Sequence, residues 1–345
     1  MPLVVVLLAL VAVLTSTAGW ALTLGQADIT VGQVGASAWH HLCIEAGAPP
    51  ETGVCRANAL TTIQDAIIWQ GRAPRVVAAV AVGAGLALVG AVMQTLTHNP
   101  LSDPYLLGVS AGASVGAVLV LVLGLAVATP ASALVGALAA LLTTLALASR
   151  RDGRLSPVRT VLAGVAVAQA GSAVVSFVIF WSSTGDSYRE ILSWLMGSLA
   201  GTVWSEALLA LGVTAVVGTL LATQGRTLDA FSFGDVSAAS LGIAVTQVRW
   251  TLLCTSSLLT AVLVSVAGSI GFVGLVIPHG VRLLVGSRHH RTLPVVAISG
   301  AIFLLLADTA ARSLFEPREL PVGILTAAIG APVFALLLRR HRSAD

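Results

Sequence analysis

Long uncharged runs separated by short polar breaks set the plan of this 345-residue chain. Mostly apolar stretches fall near 3–23, 74–96, 105–125, 131–149, 158–181, 205–223, 249–268, 272–286, 294–312 and 321–338. Apart from the shorter eighth, each has the roughly 17–25 residues a helix needs to cross a bilayer. The pattern predicts an all-α polytopic membrane protein of about ten transmembrane helices. An even number of crossings returns both termini to one side. The breaks carry information too. Between residues 94 and 112, Asn99-Pro100 and Asp103-Pro104 both bar helix continuation, because the residue before a proline is pushed out of the αR region. A short, sharp turn at a membrane surface is expected there. Beyond it, Gly108, Gly112 and Gly116 recur every fourth residue on one helix face, where missing side chains let a neighbouring helix approach closely.

Composition sharpens the membrane reading. Hydrophobic residues make up 57% of the chain and charged residues 10%, with a mean hydropathy of +0.95. A soluble domain carries about a quarter charged residues. All 18 basic residues are arginine, and their placement sets the orientation. With the N-terminus inside, Arg150, Arg151, Arg154, Arg159, Arg226, Arg249, Arg282, Arg288, Arg291, Arg339, Arg340 and Arg342 lie on the cytoplasmic side. Arg56, Arg72, Arg75, Arg189, Arg312 and Arg318 then lie outside. That excess obeys the positive-inside rule, so both termini are expected in the cytoplasm. The absence of lysine excludes a P-loop, whose lysine reaches the β- and γ-phosphates. Any ATP hydrolysis belongs to another chain, and no nucleic-acid partner is expected.

No polar segment exceeds the roughly 50 residues between the first two spans, too few for a further ordinary domain. Residues 1–345 therefore read as one transmembrane domain, with an external loop at 24–72 and a cytoplasmic segment at 224–248. Met1 to Ala21 has the apolar core of a signal peptide but no cationic leader, which favours a retained first span. Cys43 and Cys55 share the external loop, where an oxidising exterior would let them pair; two free thiols are the alternative. Cys254, alone in a span, reads as a core residue. His40-His41 beside Cys43 could hold metal or haem, yet an adjacent pair cannot face one site from a regular element, so a solvated loop is favoured and no metal site is expected.

Five stretches together resemble the permease subunits of ATP-binding-cassette importers for iron-siderophores, haem and cobalamin, the FecCD family. They are Arg72-Ala-Pro-Arg75, the 94–112 punctuation, Gly268-Ser-Ile-Gly-Phe-Val-Gly-Leu-Val-Ile-Pro-His-Gly-Val-Arg282, Glu319-Leu-Pro-Val-Gly-Ile324 and Gly330-Ala-Pro332. The resemblance spans nearly the whole chain. It implies the type II importer permease fold, a symmetric homodimer in a bacterial inner (plasma) membrane, and alternating access along one path on the two-fold axis. The implied partners are a second copy of the chain, two cytoplasmic ATPase subunits, an external or periplasmic substrate-binding protein and the lipid bilayer. The resemblance implies no catalytic residue and no cofactor on this chain; ATP and magnesium are used by the partner ATPase. Ferric siderophore is the expected cargo, with haem and cobalamin as alternatives.

Residue roles follow from the same likeness. Arg72, Arg75 and Arg312 match arginines that bind acidic side chains of the binding protein, a task suited to the forked guanidinium; ordinary interfacial snorkelling is the alternative. The stretch from Gln224 to Ile243 looks like the segment that couples to the ATPase, folded as two short helices. Gly234, Asp235, Ala238, Leu241 and Gly242 match its pattern, while Ala239 stands where relatives commonly carry arginine. The fifth span, after Ser156-Pro157, and the tenth, with Gly330 and Pro332, line the path in related permeases. Gates are expected near Ser156 inside and over 185–201 outside, with Gly197 and Gly201. His279 after Pro278 reads as a tie between helix ends rather than a ligand. Asp308 suggests either a proton relay or, as favoured, a local pair with Arg312 one turn later or a helix cap. An ion-coupled secondary transporter would need intramembrane carboxylates, and only Asp308 is at hand. A membrane enzyme would need a convergent nucleophile or metal set, whereas the His, Cys and acidic residues are scattered.

Overall fold

A computed structural model describes residues 3–25, 29–45, 58, 60–149, 155–182, 185–315 and 318–341. The regular elements among them are helices, with one isolated bridge between Ser149 and Leu155. Helix α1 spans Leu3–Thr23; α2, Val31–Glu45; and α3, Thr62–Ala66, which runs through a π-turn at Ile67–Arg72 into α4, Ala73–Leu96. Then come α5 (Val109–Leu123), α6 (Thr129–Ala148), α7 (Pro157–Ser182), α8 (Gly185–Leu195) and α9 (Trp204–Thr223). Two short helices follow, α10 (Gly225–Phe231) and α11 (Asp235–Ser240). The chain closes with α12 (Val245–Ala267), α13 (Val273–Val285), α14 (His289–Ser313) and α15 (Val322–His341).

Among the described residues, seven helical stretches are long and apolar enough to cross a membrane: α1, the continuous rod over 62–96, α6, α7, α9, α12 and α14. The shorter apolar helices α5, α13 and α15 complete the order of crossings expected from the sequence. The external loop departs from expectation, because α2, α3 and the π-turn fill much of it. Thr61 caps α3: its side chain accepts from the Gln64 amide while Gln64 Oε1 accepts from the Thr61 amide. Pro74 has no amide to complete an α-helical turn, and the ladder enters it through the wider π-turn. His40 and His41 sit on α2 rather than in a solvated loop. His41 contacts Asp65 at 2.9 Å, and Asp65 also accepts from Ser37 and Asn58, so α2 is tied down onto α3. Cys43 is buried on α2, whereas Cys55 and with it the expected disulfide lie outside the described residues.

Helix α4 is the central post. Nearly all of it is buried, and α14, α9, α13 and α12 pack around it. Glycines make the closest approaches: a Cβ on Gly83 would overlap the Gly300 carbonyl of α14, and one on Gly90 the Gly274 carbonyl of α13. Gly112 and Gly116 meet α6 at Gly136 and Ser132 in the same way, as their spacing predicts. Gly108 has a different task, starting α5 from a left-handed conformation with φ of 74°.

The turn at 97–108 begins at the surface as expected, with His98, Pro100 and Leu101 exposed, and then runs inward. Ser102, Pro104 and Leu107 are buried, and α5 begins only at Val109. The reason lies in α13, whose 13 residues rise about 20 Å at 1.5 Å each, short of a hydrocarbon core about 30 Å thick. The chain before α13 must supply the missing depth as irregular backbone, which apolar surroundings tolerate only when its polar groups are satisfied. Tyr105 does this from the 97–108 turn: its hydroxyl donates to the Ile270 carbonyl at 2.8 Å and accepts from the Ile270 amide at 3.0 Å. Within α13, Pro278 cannot donate to the Gly274 carbonyl four residues back. Gln94 of α4 reaches across instead, its Nε2 donating to the Gly274 and Leu275 carbonyls at 3.4 and 3.2 Å.

Candidate functional site

The three arginines singled out in sequence converge on one outer cavity. Arg72 closes the π-turn, Arg75 sits on the first turn of α4, and Arg312 on the last turn of α14. With Leu24, Gly25, Gly201 and Glu319 they line a cleft of about 980 Å³. Arg75 is buried and held twice: its Nε donates to both carboxylate oxygens of Asp308 at 3.1 and 2.8 Å, and its Nη1 to Glu319 at 2.6 Å. Arg72 donates to the Leu22 carbonyl at 2.8 Å, and Arg312 to the Ala21 carbonyl. These two guanidiniums therefore cap the C-terminal end of α1, where the helix dipole is negative. Gly25, with φ of 131°, passes so close to Arg72 that a Cβ there would meet the guanidinium. Asp308 is thus not the local partner of Arg312 that its i, i+4 spacing suggests. Its hydrogen-bonded partner is Arg75, 233 residues away, because α14 lies against α4. Neither the Arg75–Asp308 pair nor the bridge to Glu319 has a signal in the local sequence.

A second constellation forms at the cytoplasmic end. Helices α10 and α11 are the two short helices implied by the family likeness, and α11 is flanked by Gly234 and Gly242 at φ of 95° and 82°. Ala238 is fully buried, while Asp235 is partly exposed and turns toward α12. Asp235 makes a double ion pair with Arg249 of α12, at 2.9 and 2.5 Å. Hydrogen bonds from that guanidinium hold the Asp235 carboxyl below the usual carboxylate range despite partial burial. Arg249 also stacks over Phe231 of α10, 5.4 Å from the ring centroid, and donates to the Leu155 carbonyl at 3.3 Å. One buried guanidinium thereby joins α10, α11 and the strip that leads into Ser156 and Pro157 at the start of α7. Sequence reading placed Arg249 only as a cytoplasmic charge. Leu241, in contrast, projects outward at 70% exposure, alongside Val236 and Phe233.

The remaining expected residues fall near these two ends. Gly197 and Gly201 lie in the stretch between α8 and α9 at φ of 74° and 77°. The Gly197 carbonyl accepts from the Gly323 amide at the start of α15 at 3.2 Å, and Gly201 lines the arginine cleft. Gly330 packs against the Phe272 side chain at the head of α13, and Pro332 lies two residues further along α15. Gly201 thus joins the arginine cleft while Gly197 holds the start of α15, and the strip into Ser156 and Pro157 meets α10 and α11 through Arg249. Among the described residues, no three His, Cys, Asp or Glu side chains gather as a metal site.

Residues 5–340 match the FecCD transport family. An uncharacterized ABC transporter permease of Bacillus subtilis, YvrB, is 44% identical over 283 residues, covering 80% of each chain. The vitamin B12 import system permease BtuC of Vibrio cholerae is 41% identical, covering 83% of this chain and 87% of that one. A solved structure of a putative metal-chelate type ABC transporter in an inward-facing conformation superposes with a TM-score of 0.82 at 31% identity, over 97% and 98% of the two chains. With ten apolar helices, a cationic outer cleft and a two-helix cytoplasmic segment, this chain belongs to the FecCD family and is the multi-pass membrane permease of an ATP-binding-cassette importer of the FecCD/BtuC type.

Proposed function

We propose that the permease works as a homodimer in a bacterial plasma membrane and imports a large, preassembled metal chelate. A loaded external binding protein docks on Arg72, Arg75 and Arg312 of each copy, and two cytoplasmic ATPases drive alternating access through α10 and α11. The observation that carries this reading is the convergence of three arginines on one outer cleft at the opposite end of the molecule from the coupling segment. Carboxylates on a partner suit that cleft, since planar guanidiniums recognise them with defined geometry. The apolar residues Leu241, Val236 and Phe233 suit a groove on the ATPase, while Asp235 and Ala238 anchor the segment from behind. Movement of α11 reaches Arg249 and then the Leu155 carbonyl, which leads into α7. The exposed apolar faces of α7 and α15 are available to line a shared path and meet a second copy. The chain itself performs no chemistry in this scheme and holds no cofactor.

Cobalamin is the cargo assigned first, supported by the likeness to the Vibrio cholerae vitamin B12 permease. Ferric siderophore is the second reading, supported by the structural neighbour of metal-chelate type. The decisive experiment replaces Arg72 and Arg312 by Glu. If they serve docking, the complex assembles and keeps basal ATP hydrolysis but loses stimulation by its binding protein, because like charges then meet. Unchanged docking affinity with only a lower melting temperature would reduce both arginines to caps of α1. Titrating the binding protein with cyanocobalamin, ferric siderophore and haem then separates the cargoes.

A further inference from the structure

Arg75 is already occupied. Its contact with Asp308 is sealed, since that carboxylate is 2% exposed. Its contact with Glu319 is not: the Glu319 side chain is 50% exposed and sits on the segment between α14 and α15. Among the described residues, three guanidiniums line the cleft with the single carboxylate of Glu319, and Asp308 is sealed behind Arg75. Among the described residues, Arg72 and Arg312 donate only to carbonyl oxygens, and the buried Nε of Arg312 has no hydrogen-bond partner. An acidic side chain entering the cleft meets two under-used guanidiniums and one carboxylate that repels it.

We propose, on the basis of the docking reading, that Glu319 is an internal stand-in for the partner's carboxylate. It occupies Arg75 while the outer face is free and is displaced when an acidic side chain of the binding protein arrives. No bond is made or broken beyond the exchange of one ion pair for another. The exchange has a place to act: Glu319 stands four residues before Gly323, whose amide donates to the Gly197 carbonyl, and Leu320 donates to the Ala311 carbonyl. Releasing Glu319 therefore loosens the strip that joins α14 to α15 and touches the outer glycine segment. Docking strength and the position of α15 are linked through one exposed carboxylate.

The test measures binding of the importer's own external binding protein, identified by co-purification with the wild-type complex, to the full complex in nanodiscs at low salt. Glu319→Gln removes the competing charge, and docking should tighten about fivefold, the factor set by an exposed ion pair worth up to about 1 kcal/mol. Glu319→Asp shortens the reach and should tighten docking by less, which also covers the case in which the glutamine variant fails to assemble. Arg72→Glu is measured alongside. If it leaves docking unchanged, the docking site itself is refuted. If it weakens docking while both Glu319 variants bind like wild type or more weakly, the stand-in role is refuted and the docking site remains.

Discussion

Asp235→Asn is the most informative single change, because it removes a charge from the contact that ties α11 to α12 while keeping the side-chain shape. The Arg249 side chain is 4% exposed and Asp235 42%. Breaking a fully buried pair costs about 3–5 kcal/mol, since one charge is left uncompensated. Here the aspartate is partly solvated and Arg249 keeps the Leu155 carbonyl and the Phe231 ring, so about 2 kcal/mol is the expected loss. The loss is local. It should appear as roughly 30-fold faster amide exchange over residues 225–242, since each 1.4 kcal/mol is a factor of ten. The pH dependence follows in sign. The folded carboxyl titrates below its unfolded value of about 3.9, so the stabilisation is complete above that value and disappears as pH falls through the lowered one. Corrected for intrinsic exchange rates, protection in the native chain should hold from pH 7 to about pH 4 and fall below it. The variant should show no such step. Equal protection of 225–242 in both chains would refute the view that this pair holds the segment.

Three further outcomes are expected. Leu241→Asp should leave the fold intact, because Leu241 is 70% exposed, yet abolish co-purification with the ATPase; undiminished transport would count against the contact. Gly112→Leu should lower the melting temperature in detergent by an amount matching about 3 kcal/mol of overpacking, since its side chain would collide with the Gly136 carbonyl; an unchanged melt would contradict the α5–α6 packing. Thiol labelling of unreduced, denatured protein should modify Cys254 alone, with a disulfide between Cys43 and Cys55 worth about 3 kcal/mol; labelling of all three sulfurs would remove the disulfide.

The order and approximate limits of the crossings could be read from sequence because the bilayer imposes a length on apolar helices, whatever they pack against. The helices α10 and α11 were foreshadowed by the likeness of 224–243 to a family segment, and the close approach of α5 and α6 by glycines spaced four apart. Those signals are local, or fixed by a repeat. The pairings that build the functional ends are not local. Spacing along one helix joined Asp308 to Arg312, but the packing of α14 on α4 gives it to Arg75. Arg249 looked like one more cytoplasmic charge until the fold set Asp235, Phe231 and the Leu155 carbonyl around it. Likewise Gln94 and Tyr105 read as punctuation, although they satisfy the backbone at the head of a helix too short to span. A polar group among apolar helices must find a partner wherever packing brings one, at any separation along the chain. Sequence therefore determined the order and approximate limits of the apolar helices, while tertiary packing alone decided which charges meet.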